Sequence, residues 1–318
     1  MPNKRHPIRG YLFIASATMC WAISATLGRA VFTGRLLSSG AKALPPIDPL
    51  ILAQSRTTIS FLILAPALLL FRGKYALTLP KRDWIRTAIV GVLGVAMSNY
   101  FYYLAIQKTN VATAITLQYT APIWVLLYMV ARRVQKPTMK RLISVGLAIL
   151  GIAMVVGLLT AGGLRVNAIG VIAAQIAAVT FAFYNVGGAG LVVRHDRWKV
   201  VVNTFLGATL FWIVVNPPWK IVAAHYSAGQ WLFLLVFAMT SILIPFSLYF
   251  GGLQHLDPTR AIVTSCLEPV FSILVAASVL GEIVGPMQVL GIAMVLAATV
   301  LVQMPDQREK SLIVEPME

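Results

Sequence analysis

The chain has 318 residues, of which 58% are hydrophobic and 11% charged, and a formal net charge of +16. A soluble domain of this length needs far more charge on its surface, so that class is excluded. The two cysteines, Cys20 and Cys266, both fall inside apolar runs, which excludes a disulfide framework or a zinc site.

The N-terminal "MPNKRHPIRG" leads into an apolar run at 10–32 that is too long for the core of a cleaved secretory signal, so a retained first helix is expected. Further runs follow at 49–71, 85–106, 111–131, 139–160, 168–192, 199–215, 230–254, 259–280 and 286–303. Each approaches the roughly 20 residues that a helix needs to cross a bilayer. No amphipathic helices remain to cover them. The expected fold class is an all-α membrane protein with ten transmembrane helices and a polar cytoplasmic tail at 304–318.

Charge orients the spans. With the N-terminus in the cytoplasm, nineteen Lys and Arg fall on cytoplasmic segments and five on outer ones, and Arg29 and Arg56 lie within spans. This is the positive-inside pattern and puts both termini inside. The basicity faces anionic membrane lipid and requires no nucleic-acid partner.

The sequence also repeats. Residues 102–130 lie over 249–277 without a gap, matching Tyr102 with Tyr249, Gln107 with Gln254 and Pro122 with Pro269. Residues 10–28 lie over 170–188, with Trp21 over Phe181. Five spans per half is an odd number, so the halves, 1–160 and 168–303, enter the membrane from opposite sides. Inverted repeats of this kind hold solute sites near the midplane, where matching helices are interrupted.

Pro122 and Pro269 mark those interruptions and are the expected kinks or hinges. A proline frees the carbonyl four residues earlier, here that of Gln118 or Ser265. A packed kink and a cavity-lining break both account for it. Glu268 is the one carboxylate deep inside a run. It reads as a protonated acid bonded to a neighbouring helix, as the partner of Arg29 or Arg56, or as a group that couples protons or binds a substrate amine.

Mid-span polar and aromatic residues complete the candidate substrate site: Trp21, Asn99, Tyr100, Tyr103, Gln118, Tyr119, Phe181, Tyr184, Asn185, Phe246 and Ser265. Helix packing and the interfacial aromatic belt are the competing roles for each aromatic. Aromatics with amides and hydroxyls suit neutral or zwitterionic amphipathic solutes. Phosphorylated cargo would call for clusters of Lys or Arg that the spans lack. No metalloprotease HExxH, GxSxG nucleophile elbow or Walker A loop occurs, so neither enzyme activity nor a cofactor or metal is expected.

The stretches "CWAISATLGR", "AQSRTTISFLILAPALLL", "YLAIQKTNVATAITLQYTAPIWVLL" and "LEPVFSILVAASVLGE" resemble the EamA-type branch of the drug/metabolite transporter superfamily over nearly the whole chain. Within that branch the chain is most similar to bacterial YddG-type exporters of aromatic amino acids. The family's "GE" after the second-half proline is present as Gly281-Glu282, whereas Val134-Gln135 stands at the aligned place in the first half. The resemblance implies a basket-like bundle whose cavity is lined by helices one, three, four, six, eight and nine. It also implies a bacterial inner-membrane carrier for small hydrophobic or aromatic amino acids, working by alternating access. A monomer is compatible with this pattern. A broad exporter of drugs and metabolites, and a membrane sensor without transport, are the other readings.

Overall fold

The computed structural model describes residues 7–33, 45–133, 138–155, 159, 166–192, 194–253, 255, 264 and 267–304. Among these no strand occurs. Helix α1 is Pro7–Phe32, α2 is Pro49–Arg72, α3 is Lys81–Lys108 and α4 is Val111–Ala131. They are followed by α5 (Met139–Val155), α6 (Ala168–Val192) and α7 (Arg197–Val215). Helix α8 runs through Ala228–Ala238, Met239–Leu243 and Ile244–Leu253, α9 is Leu267–Leu280 and α10 is Pro286–Gln303. Seven of them, α1 to α4 and α6 to α8, are long and apolar enough to cross a membrane, and α5, α9 and α10 add shorter apolar helices. The chain is an all-helical, multi-pass membrane protein.

Local sequence sets the helix ends. The Asp48 side chain accepts from the Leu50 amide and Pro49 opens α2, a capping residue followed by a proline whose missing N–H costs nothing there. Asn110 caps α4 through the Thr113 amide at 2.7 Å, so α4 restarts directly after α3 ends. Ser227 and Gln230 form a reciprocal capping box at the start of α8.

Three helices are interrupted inside the bundle. In α4 the helix stops at Gln118 and resumes at Ala121, with Pro122 in the first turn of the second piece, where proline is tolerated. The sequence points to the Gln118 carbonyl as the one freed. The carbonyls that find side-chain donors are its neighbours, Leu117 from Thr120 Oγ1 at 2.7 Å and Tyr119 from Thr299 Oγ1 at 3.0 Å. Helices α3 and α8 each contain a wider, π-helical turn, at Val90–Ala96 and Met239–Leu243. Such turns break the regular bonding ladder and recur at functional sites.

Packing places the helices around one interior. Helix α1 packs on α8 and α9, and α6 on α3 and α4; α2 packs on α7, and α5 on α10. The last crossing is close because glycine meets glycine: a Cβ on Gly151 would stand 2.7 Å from the Gly291 carbonyl oxygen. Close approach through small residues is how helices gain contact where lipid removes the hydrophobic drive. The buried centre gathers Tyr103, Phe237, Trp212, Leu52, Ile106 and Ile115.

Candidate functional site

The bundle has two ends that differ in chemistry. At one end lie the C-terminus of α2 and the N-terminus of α3. There Asp83 takes in His195 at 2.9 Å and Arg86 and Arg194 at 3.3 Å each. Asp196 caps α7 and pairs with Arg72 at 3.2 Å. His195 and Asp196 tie the α6–α7 connection to α3 and α2.

At the far end Arg29 and Glu282 form an ion pair, Nε to Oε1 at 3.2 Å, with side chains 20% and 15% exposed. Arg29 also donates to the carbonyls of Ile106 (2.7 Å) and Gln107 (2.9 Å), in the last turn of α3. Glu282 Oε2 accepts the Val111 amide, at the first turn of α4, at 3.2 Å. Cation on a helix C-terminus and carboxylate on a helix N-terminus both complement the helix dipoles. Gly281 makes the geometry possible: its φ of 65° is left-handed, and the bond from Gly281 N–H to Ala277 O ends α9 in an αL-type turn. One ion pair thus joins α1, α3, α4 and α9. The sequence offered Arg29 as a partner for Glu268; the structure pairs it with Glu282, for which the "GE" dipeptide was the available signal.

One layer deeper, Arg56 of α2 reaches across the interior. Its NH1 donates to Asn99 Oδ1 and the Tyr103 hydroxyl, both at 3.0 Å, and its NH2 to the Ser241 carbonyl at 2.9 Å. The guanidinium carbon stands 5.6 Å from the Tyr103 ring centroid. Ser241 lies in the π turn of α8, where the altered ladder lets a carbonyl face a neighbouring helix. Asn99 and Tyr103, one turn apart in α3, are brought together here. Tyr100 is not: it packs edge-on to Phe101 and Trp212.

The broken helix α4 meets α9 through Tyr119 and Glu268. The Tyr119 hydroxyl donates to Glu268 Oε2 at 2.9 Å, joining the break of α4 to the first turn of α9. Pro269 follows, buried, in that same turn. Ser265 lies outside the described residues, as do Gln254, Val134 and Gln135. Gln118 is half-buried at the edge of the α4 break.

The remaining aromatics divide between one helix pair and one helix. Trp21 meets Phe246 edge-on at 5.7 Å and Tyr249 at 5.8 Å, linking α1 to α8. Phe181 and Tyr184 stack on each other at 6.2 Å, while Asn185 spends its amide on the Phe181 carbonyl at 2.7 Å. Phe181 is 41% exposed. A cleft of about 940 Å³ lies on the opposite side of α6, lined by Trp124, Tyr128, Phe183 and Val186 with Arg86 and Arg194. None of the residues singled out from the sequence lines it. Among the described residues no group of acidic, His and Cys side chains could hold a metal ion.

Comparison with known proteins agrees with this architecture. The EamA-like transporter family matches residues 8–157 and 168–304. The uncharacterized inner membrane transporter YicL of Salmonella typhimurium is 24% identical over 275 residues, 81% of this chain and 89% of that protein. The threonine/homoserine exporter RhtA of Salmonella typhimurium is 27% identical over 267 residues, 83% of this chain and 86% of that protein. A crystal structure 18% identical in sequence superposes with a TM-score of 0.58 over 98% of this chain and 100% of that chain, a likeness of fold. With its helices, its mid-span breaks and both segments matched, this chain belongs to the EamA-like transporter family.

Proposed function

We propose that the chain exports small hydrophobic or aromatic amino acids across the bacterial inner membrane by alternating access. In this reading ten spans form two inverted five-helix repeats, 1–160 and 168–303, with the basic end in the cytoplasm. The pairing of helices supports the repeat: α1 with α8 and α9 mirrors α6 with α3 and α4, and each half carries one π turn in its third helix. The family's two matched segments divide the chain at the same place.

The observation that carries the reading is the Tyr119–Glu268 hydrogen bond, which couples the break of α4 to the first turn of α9 across the line between the halves. Interrupted helices paired by repeat are where secondary transporters hold their solutes. The ion pair at the far end closes the bundle there, while Phe181 and Asn185 are exposed in the half of α6 nearer the basic end. That asymmetry suits an inward-facing state. Amino acids as cargo are supported by the RhtA relatives, named as threonine and homoserine exporters. The preference for apolar and aromatic side chains rests on Trp21, Tyr119, Phe181, Tyr184 and Phe246.

Counterflow tests both parts. Proteoliposomes preloaded with unlabelled phenylalanine are expected to accumulate labelled phenylalanine transiently, with leucine and methionine competing and lysine not. Accumulation of threonine but not phenylalanine would move the cargo to the small polar class. Competition by unrelated apolar cations would make the chain a broad exporter, and no accumulation of any amino acid by folded protein would end the reading.

A further inference from the structure

Two opposite charges stand inside the bundle without touching. Arg56 is the eighth residue of α2, about 10 Å along the helix from its far-end start, and all its bonded acceptors are neutral: Asn99, Tyr103 and the Ser241 carbonyl. Glu268 lies fourteen residues before Glu282, about 20 Å from the same end, and is held by the Tyr119 hydroxyl. Arg56 thus sits with Tyr103 and with Tyr102, whose ring lies 5.4 Å from that of Tyr103 between centroids, and Glu268 sits with Tyr119. Among the described residues no ion pair joins them, although a guanidinium and a carboxylate removed from water are stabilised by pairing.

Among the described residues, Arg56 Nε itself, the Oγ of Ser241, whose carbonyl Arg56 bonds, and the hydroxyl of Tyr102, the ring neighbour of Tyr103, are buried without a hydrogen-bond partner. Tyr102 is 7% exposed and Ser241 0%. A buried donor left unpaired is costly, and these three mark a place prepared for an acceptor. Tyr102 was matched to Tyr249 by the repeat but was not singled out as a site residue; its hydroxyl is the feature that only the folded chain reveals.

We propose that Arg56 and Glu268 form a split-charge site for the head group of an α-amino acid. The substrate carboxylate accepts from Arg56 Nε and from the Tyr102 and Ser241 hydroxyls, and the substrate ammonium donates to Glu268. Tyr119 positions the Glu268 carboxylate from α4. A ligand with both charges, each bonded at about 2.8 Å, spans protein charges that are held apart. This rests on the amino-acid transport reading and deepens it: the site selects the zwitterion, and the side chain is free to vary.

The experiment is competition in the counterflow assay, with labelled phenylalanine and labelled threonine as probes. For wild type, 3-phenylpropionate, which lacks the amine, and phenethylamine, which lacks the carboxylate, are expected to compete at least about tenfold more weakly than phenylalanine. Tyr102→Phe, which removes one unpartnered hydroxyl, is expected to raise the half-saturating concentration about tenfold without lowering the melting temperature. A merely structural tyrosine would show the reverse. Glu268→Gln is expected to weaken phenylalanine and leave 3-phenylpropionate unchanged. Arg56→Lys, which keeps the charge, is expected to weaken phenylalanine and leave phenethylamine unchanged. Absence of any amino-acid transport by wild type would fail the transport reading itself. Transport in which single-charge analogues compete equally would overturn the split-charge site alone. So would a Glu268→Gln variant with unchanged half-saturation and a lost response to a pH gradient, which would assign Glu268 to the proton.

Discussion

Glutamine at position 282 isolates the charge of the far-end ion pair. It can still accept the Val111 amide, which Glu282 takes at 3.2 Å, but it cannot pair with the Arg29 Nε that stands 3.2 Å from Oε1. Arg29 keeps its two backbone acceptors, Ile106 and Gln107. Exposed pairs contribute about 0–1 kcal/mol, and breaking a fully buried pair costs about 3–5 kcal/mol. With the side chains 20% and 15% exposed, the loss falls between, at about 2 kcal/mol. Because the pair spans α1 and α9 and braces α3 and α4, that loss acts only on conformations in which the far end is closed. About 2 kcal/mol then shifts the ratio of closed to open roughly thirtyfold toward open. Spin labels at Ile169 and Ile283, which are 60% and 94% exposed, flank this end and report the change by pulsed EPR in nanodiscs. The expected result is a longer distance component in Glu282→Gln that is minor or missing in wild type. Identical distance distributions in the two proteins would refute the assignment of the pair as the far-end closure.

Tyr119→Phe removes the hydroxyl that reaches Glu268 at 2.9 Å while keeping the ring, and is expected to cost about 1.5–3 kcal/mol if the carboxylate is ionised and about 1 kcal/mol if it is neutral. Chemical denaturation in detergent measures the loss, and an unchanged stability would show that the bond is not formed. Gly151→Leu is expected to separate α5 from α10, since even a Cβ at Gly151 would stand 2.7 Å from the Gly291 oxygen; overpacking of this kind costs about 1–3 kcal/mol or more. A melting temperature equal to wild type would contradict that crossing. Asp83→Asn removes the charge that Arg86, Arg194 and His195 share and one of its two acceptor oxygens, and is expected to loosen the α6–α7 connection, read as faster hydrogen exchange at residues 194–199 with little change at the far end.

Much of the architecture was legible before folding. The runs at 49–71, 111–131, 168–192 and 286–303 agree with helices Pro49–Arg72, Val111–Ala131, Ala168–Val192 and Pro286–Gln303 to within a residue. Pro122 marked the α4 break because proline acts on its own four neighbouring residues, wherever the helix goes. The candidate site was legible only in part. Arg56, Asn99, Tyr103, Tyr119 and Glu268 do take part in contacts between helices, but Tyr100 and Asn185 spend their groups on packing and on their own helix.

What the sequence by itself determined is therefore the solvent of each segment: hydrophobicity sustained over about 20 residues places a helix in lipid, because backbone groups there must bond within the helix. Family membership follows from the same continuous stretches, matched over 8–157 and 168–304. What only the tertiary structure decided is which face of each helix meets which neighbour. A soluble helix announces its buried face through an apolar stripe, but these helices are apolar all round, so rotation about the axis leaves no periodic trace. Glu282 met Arg29, and Tyr119 met Glu268, because small residues, π turns and a left-handed Gly281 set those rotations through packing of the whole bundle.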